Sequence, residues 1–249
     1  MKTEQFATAI RTYIEKHGFE QLSPKAVLFD MDGVLYDSMP NHAVAWQRSM
    51  KTFGITMTAQ DAYATEGARG VDTIRMMVKK QQGRDIDEQE AQRMYDEKTR
   101  QFHMMPETSI MPGVLALMRQ IKDCGLKIGV VTGSGQRPLI QRLLNDFSEY
   151  LDEQHITTAY DVERGKPNPD PYLSGLRKAG NLKPWEALVI ENAPLGVRAG
   201  VAAQIFTIAV NTGPLPDETL LNEGANLLFD DMISFSNTWP EFIRQTAHC

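Results

Sequence analysis

The chain has 249 residues, with 26 Lys and Arg against 32 Asp and Glu, a formal charge of −6. Its 42% hydrophobic and 23% charged residues lie near globular averages, which excludes a disordered, collagenous or low-complexity chain. The acidic balance argues against a nucleic-acid partner and, as a bulk quantity, mildly against anionic ligands.

The opening Met1-Lys2-Thr3-Glu4-Gln5-Phe6 is too polar for a signal peptide. From Thr3 to His17, Phe6, Ala9, Ile10, Tyr13 and Ile14 recur at helical spacing, with Gly18 as a stop. This predicts an amphipathic helix packed on the main body. Ala26-Val27-Leu28-Phe29 is a short, continuously apolar run, as expected of a strand buried on both faces of a parallel sheet. From about residue 39 to 107 no strand pattern occurs. Charged helical segments such as Asp87 to Met104 fill the interval, and Pro40 and Pro106 mark its linkers. The interval reads as an inserted α-helical subdomain with Trp46, Met50, Met76, Met77 and Met104 packed inside it.

Beyond it, strand-like runs at Ile128–Val131, Ala187–Ile190, Ile205–Val210 and Asn226–Phe229 alternate with helical patterns. Examples are Val114 to Asp123, with Gly125 beyond, and Pro169 to Ala179, with Gly180 beyond. Such alternation predicts an α/β fold, a doubly wound, mostly parallel sheet with right-handed crossovers. The expected division is a leading helical extension (1–24), a core (25–38 and 108–249) and the helical insertion (39–107). Cys124 and Cys249 cannot make a disulfide framework, so both are expected to be free thiols in a reducing compartment. No apolar run approaches the roughly 20 residues of a membrane span. A soluble cytoplasmic monomer with neither membrane nor nucleic-acid partners is expected.

Four polar motifs stand at or between the strand ends. Asp30-Met31-Asp32-Gly33-Val34 follows the first strand, and its two carboxylates converge if the chain coils at Gly33. Thr132-Gly133-Ser134-Gly135 follows the next long strand and offers a hydroxyl and exposed amides to phosphate oxygens. Lys166 is pinned between Gly165 and Pro167, which suits a cation that neutralises a phosphate. Glu191-Asn192 closes another strand and offers hard oxygen ligands for Mg²⁺. In open α/β sheets the reactive crevice lies beyond the carboxyl ends of the strands, so one crevice could gather all four.

In this order the motifs resemble the haloacid dehalogenase superfamily of phosphotransferases. The resemblance rests on Asp30-x-Asp32-Gly33-Val34, Thr132-Gly133-Ser134, Lys166-Pro167-x-Pro169-Asp170 and Glu191-Asn192-x-x-x-Gly196. It implies that Asp30 is a nucleophile forming an aspartyl-phosphate and that Asp32 is the general acid and base. Thr132 and Lys166 would hold the phosphoryl oxygens with the amides of Met31 and Gly133. Mg²⁺ would bind Asp30, the Asp32 carbonyl and the Glu191-Asn192 motif, and Lys166-Pro167 would be cis. The insertion resembles the helical cap of the β-phosphoglucomutase branch.

Several departures bear on the substrate. Asn192 stands where the family usually has a second acid, and Glu66, in Thr65-Glu66-Gly67-Ala68-Arg69-Gly70, could restore the missing charge at the metal when the cap closes. The mutase's phosphate-gripping arginine is replaced by Gly70, with Arg69 beside it. Ser38 and His42 occupy the positions of a threonine and a histidine in the mutase, and Lys98 that of a substrate-facing lysine. Glu66 with Glu191-Asn192 also resembles a pyrophosphate-hydrolysing subgroup. The resemblance thus implies a Mg²⁺-dependent hydrolase of pyrophosphate or a small phosphorylated metabolite, with a sugar-phosphate mutase as the alternative. Retention of Asp30, Asp32, Thr132 and Lys166 argues against an inactive binding module. A carbon-attacking dehalogenase would need neither Asp32 nor Mg²⁺.

Overall fold

The structure is a computed structural model that describes residues 3–135 and 137–247. Met1, Lys2 and the second cysteine, Cys249, lie outside the described residues. In chain order the elements are helix α1 (Thr3–His17), strand β1 (Ala26–Phe29), and helices α2 (Met39–Thr52), α3 (Ala59–Ala64), α4 (Gly70–Gln82), α5 (Glu88–His103) and α6 (Val114–Asp123). Next come β2 (Lys127–Val131), α7 (Arg137–Asp146), β3 (Ile156–Thr157), α8 (Asp170–Lys178), β4 (Ala187–Glu191) and α9 (Pro194–Ala202). The chain ends with β5 (Phe206–Val210), α10 (Asp217–Leu221), β6 (Leu227–Phe229) and α11 (Met232–Ile243).

All neighbouring strands pair in parallel, in the order β3-β2-β1-β4-β5-β6. The doubly wound sheet expected from the alternation is present. The continuous apolar runs are explained by burial on both faces. Val27 and Phe29 of β1 and Leu188 and Ile190 of β4 enter one apolar cluster, while Leu28, Ala187 and Val189 enter another on the opposite face. Helix α6 shows the matching helical logic, burying Val114, Leu117, Met118 and Ile121 against the sheet.

Helix α1 has the predicted limits and docks through Phe6, Ile10 and Tyr13, all buried. The Phe6 ring meets Phe242 edge-on at 5.6 Å, and Tyr13 meets Phe206 at 5.3 Å. Strand β3 escaped the sequence reading because two residues on a sheet edge carry no pattern. Ile205 and Asn226, the first residues of two expected strands, fall just outside the observed β5 and β6. The Asn226 side chain instead accepts a hydrogen bond from the Thr207 amide at the start of β5 (2.8 Å).

Helices α2–α5 lie between β1 and β2 and bury a cluster of their own that includes Trp46, Met50, Ile74, Met77 and Met94. Side-chain caps start two of them. Thr58 and Asp61 form a capping box at α3, and Asp87 accepts from the Glu90 amide at α5. Two expected members of the cluster are not in it, since Met76 is 47% and Met104 59% exposed. Met76 points away from the face that buries Met77, and Met104 follows the last turn of α5, where the helix no longer has a packing partner to present it to.

The difference is measurable by urea unfolding. Met77→Ala should cost about 2–5 kcal/mol, the range for emptying a packed core site. Met76→Ala should stay within about 0.5 kcal/mol, as surface substitutions do.

Candidate active site

The register of the sheet assembles the site. Phe29 lies opposite both Val130 and Ile190, so Asp30, one residue on, comes level with Val131 and Glu191. The Asp30 amide continues the ladder by donating to the Ile190 carbonyl (3.0 Å). Beyond Asp30 the chain turns back sharply. Gly33 has φ +82°, and a Cβ there would fall 2.0 Å from Asn192 Nδ2. Glycine is therefore required both for the turn and for the approach of Asn192. The chain reverses direction across the sheet between β3 and β4, so this loop opens at the topological switch point, where open α/β sheets bind ligands.

Lys166 sits at the centre, 3% exposed, on a loop whose Lys166-Pro167 bond is cis, as the motif implied. Its ammonium donates to Asp30 Oδ1 (2.5 Å), Glu191 Oε1 (2.6 Å) and the Val131 carbonyl (3.1 Å). An ammonium has three protons, so all are in use. Burial opposes the Lys166 charge, but the two carboxylates more than offset it and its pKa is raised. Burial also raises the Asp30 carboxyl, with Lys166 opposing and Glu191 adding to the rise. Glu191 is fully buried. Its Oε1 also accepts from the Tyr172 hydroxyl (2.7 Å), and its Oε2 accepts from the Asn192 and Ala193 amides. Glu191, expected among the metal ligands, here has both oxygens hydrogen-bonded within the protein. Tyr172 was missed. Its only signal was its place two residues after Asp170 in the lysine motif.

Asp32 has different company. Its Oδ1 accepts from Ser38 Oγ (2.6 Å) and lies 3.1 Å from His42 Nε2. Burial raises the Asp32 carboxyl, but His42, Ser38 and Lys98 together bring it down to about 2. His42 Nδ1 in turn lies 2.7 Å from Lys98 Nζ. Lys98 is buried with its ammonium 5.1 to 5.8 Å from the ring centres of Trp46, Phe102 and Tyr95. Burial lowers its pKa, with Glu66 and Asp32 opposing.

The pocket over these groups has one wall from the core and one from α2–α5. Asp30, Asp32, Gly133 and Ser134 face His42, Glu66, Tyr95 and Lys98. Its enclosed space is only about 40 Å³, room for a few waters. Glu66 is half-buried; burial and Asp32 raise its carboxyl while His42 and Lys98 counter. Thr132 is buried, and its hydroxyl accepts from the Ser134 amide (3.0 Å), shaping the Gly133–Ser134 turn. Met31 turns its side chain into the apolar core, leaving only its backbone to the loop. Arg69 is not brought to this pocket. It pairs with Asp72 (2.7 Å) and lines an adjacent cleft beside Gly165 and Lys166. A side chain at Gly70 would begin 2.0 Å from the Tyr95 ring, so the place of the mutase's arginine is filled by an aromatic.

Asn192 meets the test of a cation ligand. Its Oδ1 is buried and accepts no hydrogen bond, a costly state for an amide oxygen and one that a hard cation relieves. Among the described residues no three His, Cys, Asp or Glu side chains are grouped for a metal. The candidate donors are the Asp30 carboxylate and the Asn192 amide oxygen, with Glu191 beside them, a sparse set of the kind with which Mg²⁺ retains several waters.

The family model for haloacid dehalogenase-like hydrolases matches residues 27–210. The chain belongs to this family, and is a phosphoric-ester hydrolase or a phosphomutase. It is 32% identical to hexitol phosphatase A of Escherichia coli over 80% of this chain and 88% of that protein. It is 30% identical to a phosphorylated carbohydrates phosphatase of Thermotoga maritima over 81% and 92%. A solved structure from Bacteroides vulgatus, provisionally assigned as a beta-phosphoglucomutase, superposes with a TM-score of 0.95 at 50% identity. The match covers 99% of this chain and all of that one.

The buried charge cluster makes a stability prediction. Lys166→Met strands two carboxylates and should cost about 3–5 kcal/mol in metal-free chemical unfolding. Adding Glu191→Gln should recover part of that loss. A double variant no more stable than Lys166→Met alone would show that the pair does not set the cost.

Proposed function

We propose that the chain is a Mg²⁺-dependent phosphohydrolase that works through a phosphoryl group carried on Asp30. Its substrate is compact, inorganic pyrophosphate or a small phosphorylated metabolite. One observation carries hydrolysis over the mutase reaction: the wall opposite Asp30 lacks a second phosphate cradle among the described residues. Arg69 is turned out to Asp72, Gly70 is covered by Tyr95, and the one cation facing the pocket from that wall, Lys98, is already held by His42 and three rings. A mutase must grip the phosphate that is not being transferred.

Residues 39–107 act in this reading as a cap that opens to admit substrate and closes to exclude water. Asp30 Oδ attacks phosphorus as the bond to the leaving group breaks, and Asp32 delivers a proton to the departing oxygen. Water then attacks the phosphoryl-aspartate, Asp32 takes its proton, and phosphate departs with Asp30 restored. Asp32, held ionised by Ser38 and His42, is suited to accept that proton; the approach of an anionic phosphoryl group raises it toward the donor form. Gly133, Ser134 and Thr132 align the phosphoryl oxygens, and Lys166 passes from Asp30 to one of them. Mg²⁺, held by Asp30, the Asp32 carbonyl and Asn192, would neutralise charge between nucleophile and phosphate. With Asp30 ionised for attack, Asp30, Glu191 and Lys166 leave one buried negative charge, which such an ion would balance. Glu66 would replace the charge lost at Asn192 by reaching the ion or its waters.

A sugar phosphate is the second reading, favoured by the names of the relatives and by the Trp46 and Tyr95 rings along the pocket. A panel of pyrophosphate, hexitol phosphates and β-glucose 1-phosphate separates the readings, with released phosphate and ³¹P NMR as readouts. Steady phosphate release without conversion to glucose 6-phosphate is expected. Conversion matching or exceeding release would establish the mutase instead.

Asp30→Asn should reduce turnover by about 10³-fold or more, and Asp32→Asn by about 10²–10⁴-fold. Removal of divalent ions with EDTA should abolish activity, and Mg²⁺ should restore it. Glu66→Gln should raise the Mg²⁺ concentration needed for half-maximal rate; an unchanged Mg²⁺ dependence would remove Glu66 from the metal's surroundings.

A further inference from the structure

Lys166 poses a problem for any reaction at Asp30. Its three protons are all committed, so a phosphoryl oxygen can be captured only if one contact is surrendered. The distances to Asp30 and Glu191, 2.5 and 2.6 Å, do not favour either. The surroundings of the two carboxylates do. Besides Lys166, Glu191 receives the Asn192 and Ala193 amides on Oε2 and the Tyr172 hydroxyl on Oε1.

Tyr172 is fully buried in the first turn of α8, a place fixed by Asp170 and Pro171 at the helix start. Its ring centre lies 5.2 Å from Lys166 Nζ, and its hydroxyl reaches the same Glu191 oxygen that Lys166 uses. We infer that Tyr172 is a positioning residue for phosphoryl transfer: its hydroxyl anchors Glu191, so that Lys166 yields its Asp30 contact when a phosphoryl oxygen arrives. This inference rests on the reading of Asp30 as the group that carries the phosphoryl.

The Tyr172 bond to Oε1, with the two amides on Oε2, holds the Glu191 carboxylate in place. Glu191 so fixed cannot follow Lys166 toward Asp30, and the Asp30 contact is the one released to a phosphoryl oxygen. Without the hydroxyl, Oε1 moves with Lys166 toward Asp30, the Asp30 contact persists, and the phosphoryl oxygen loses a donor. Burial raises the Tyr172 phenol well above its ordinary range, with Glu191 adding to the rise, so it remains a donor throughout neutral pH.

Tyr172→Phe removes the hydroxyl and keeps the ring. The full chain with MgCl₂ is titrated with beryllium trifluoride, a phosphoryl mimic for a carboxylate nucleophile, and followed by ¹⁹F NMR alongside kcat and KM. The variant should bind the mimic about tenfold more weakly, a loss within the range for a hydrogen bond to a charged group. The resonance of one bound fluorine should shift. Turnover should fall by a similar factor with KM changed less than about twofold, and thermal unfolding should show a folded chain. In a Glu191→Gln background, adding Tyr172→Phe should change the mimic's affinity no further. Wild-type affinity and kcat in Tyr172→Phe would overturn the inference, as would an equal loss in both backgrounds. A wild-type chain that forms no trifluoroberyllate complex at all would overturn the reading of Asp30, and this inference with it.

Discussion

One ammonium between two buried carboxylates is the constraint on which the rest of the site depends. Taking charges out of water is costly unless each finds close partners, and Lys166, Asp30 and Glu191 are each at most 3% exposed. The trio is tolerable only because parallel pairing brings the ends of β1, β2 and β4 level. The loop carrying Lys166 reaches over them, and backbone amides and a phenol complete the coordination of Glu191. Even then two acids face one ammonium, and burial answers by raising the Asp30 carboxyl. The amide oxygen of Asn192 stays buried without a hydrogen bond beside them, the feature on which the proposed cation site rests.

The second aspartate is governed differently. Asp30 is surrounded by the core alone, whereas Asp32 is held by Ser38 and His42 at the entry to the inserted helices, and through His42 by Lys98 on α5. Two carboxylates separated by one residue thus acquire opposite tendencies, one pushed up by burial and one held down by its neighbours. Neighbours, not residue type, set the proton affinity of each group. The arrangement also ties Asp32 to the placement of α2 and α5 through His42 and Lys98.

The net charge of −6 illustrates how little a global sum says about a local field. The acids of the site share Lys166 or lie against His42, and the ion pairs of the inserted helices, such as Arg84 with Glu90 and Arg100 with Glu97, lie on the surface where solvent screens them. The pocket itself is lined by Gly133 and Ser134 at the strand end and by Lys98 from the opposite wall.

Sequence patterns carried much of this protein. Apolar runs announced five of the six strands because a strand buried on both faces has no polar side to disguise it. The absence of such runs from 39 to 107 announced the helical insertion. The polar motifs were legible because each directly follows a strand or is hemmed by prolines. Composition and spacing could not say which atoms are left without partners. Glu191 stands in the motif expected to hold a metal, and the fold adds Lys166, Tyr172 and two amides as its partners; Arg69, beside the place of the mutase's arginine, is paired with Asp72. Met76 and Met77 are the same residue type side by side, and only one is packed. Periodicity and local conformation are properties of neighbours along the chain, so the elements, their order and the residues available for chemistry were legible before folding. Hydrogen-bond partnership and burial are exclusive and nonlocal, settled when distant segments compete for the same atoms, so which of those residues face the pocket emerged with the fold.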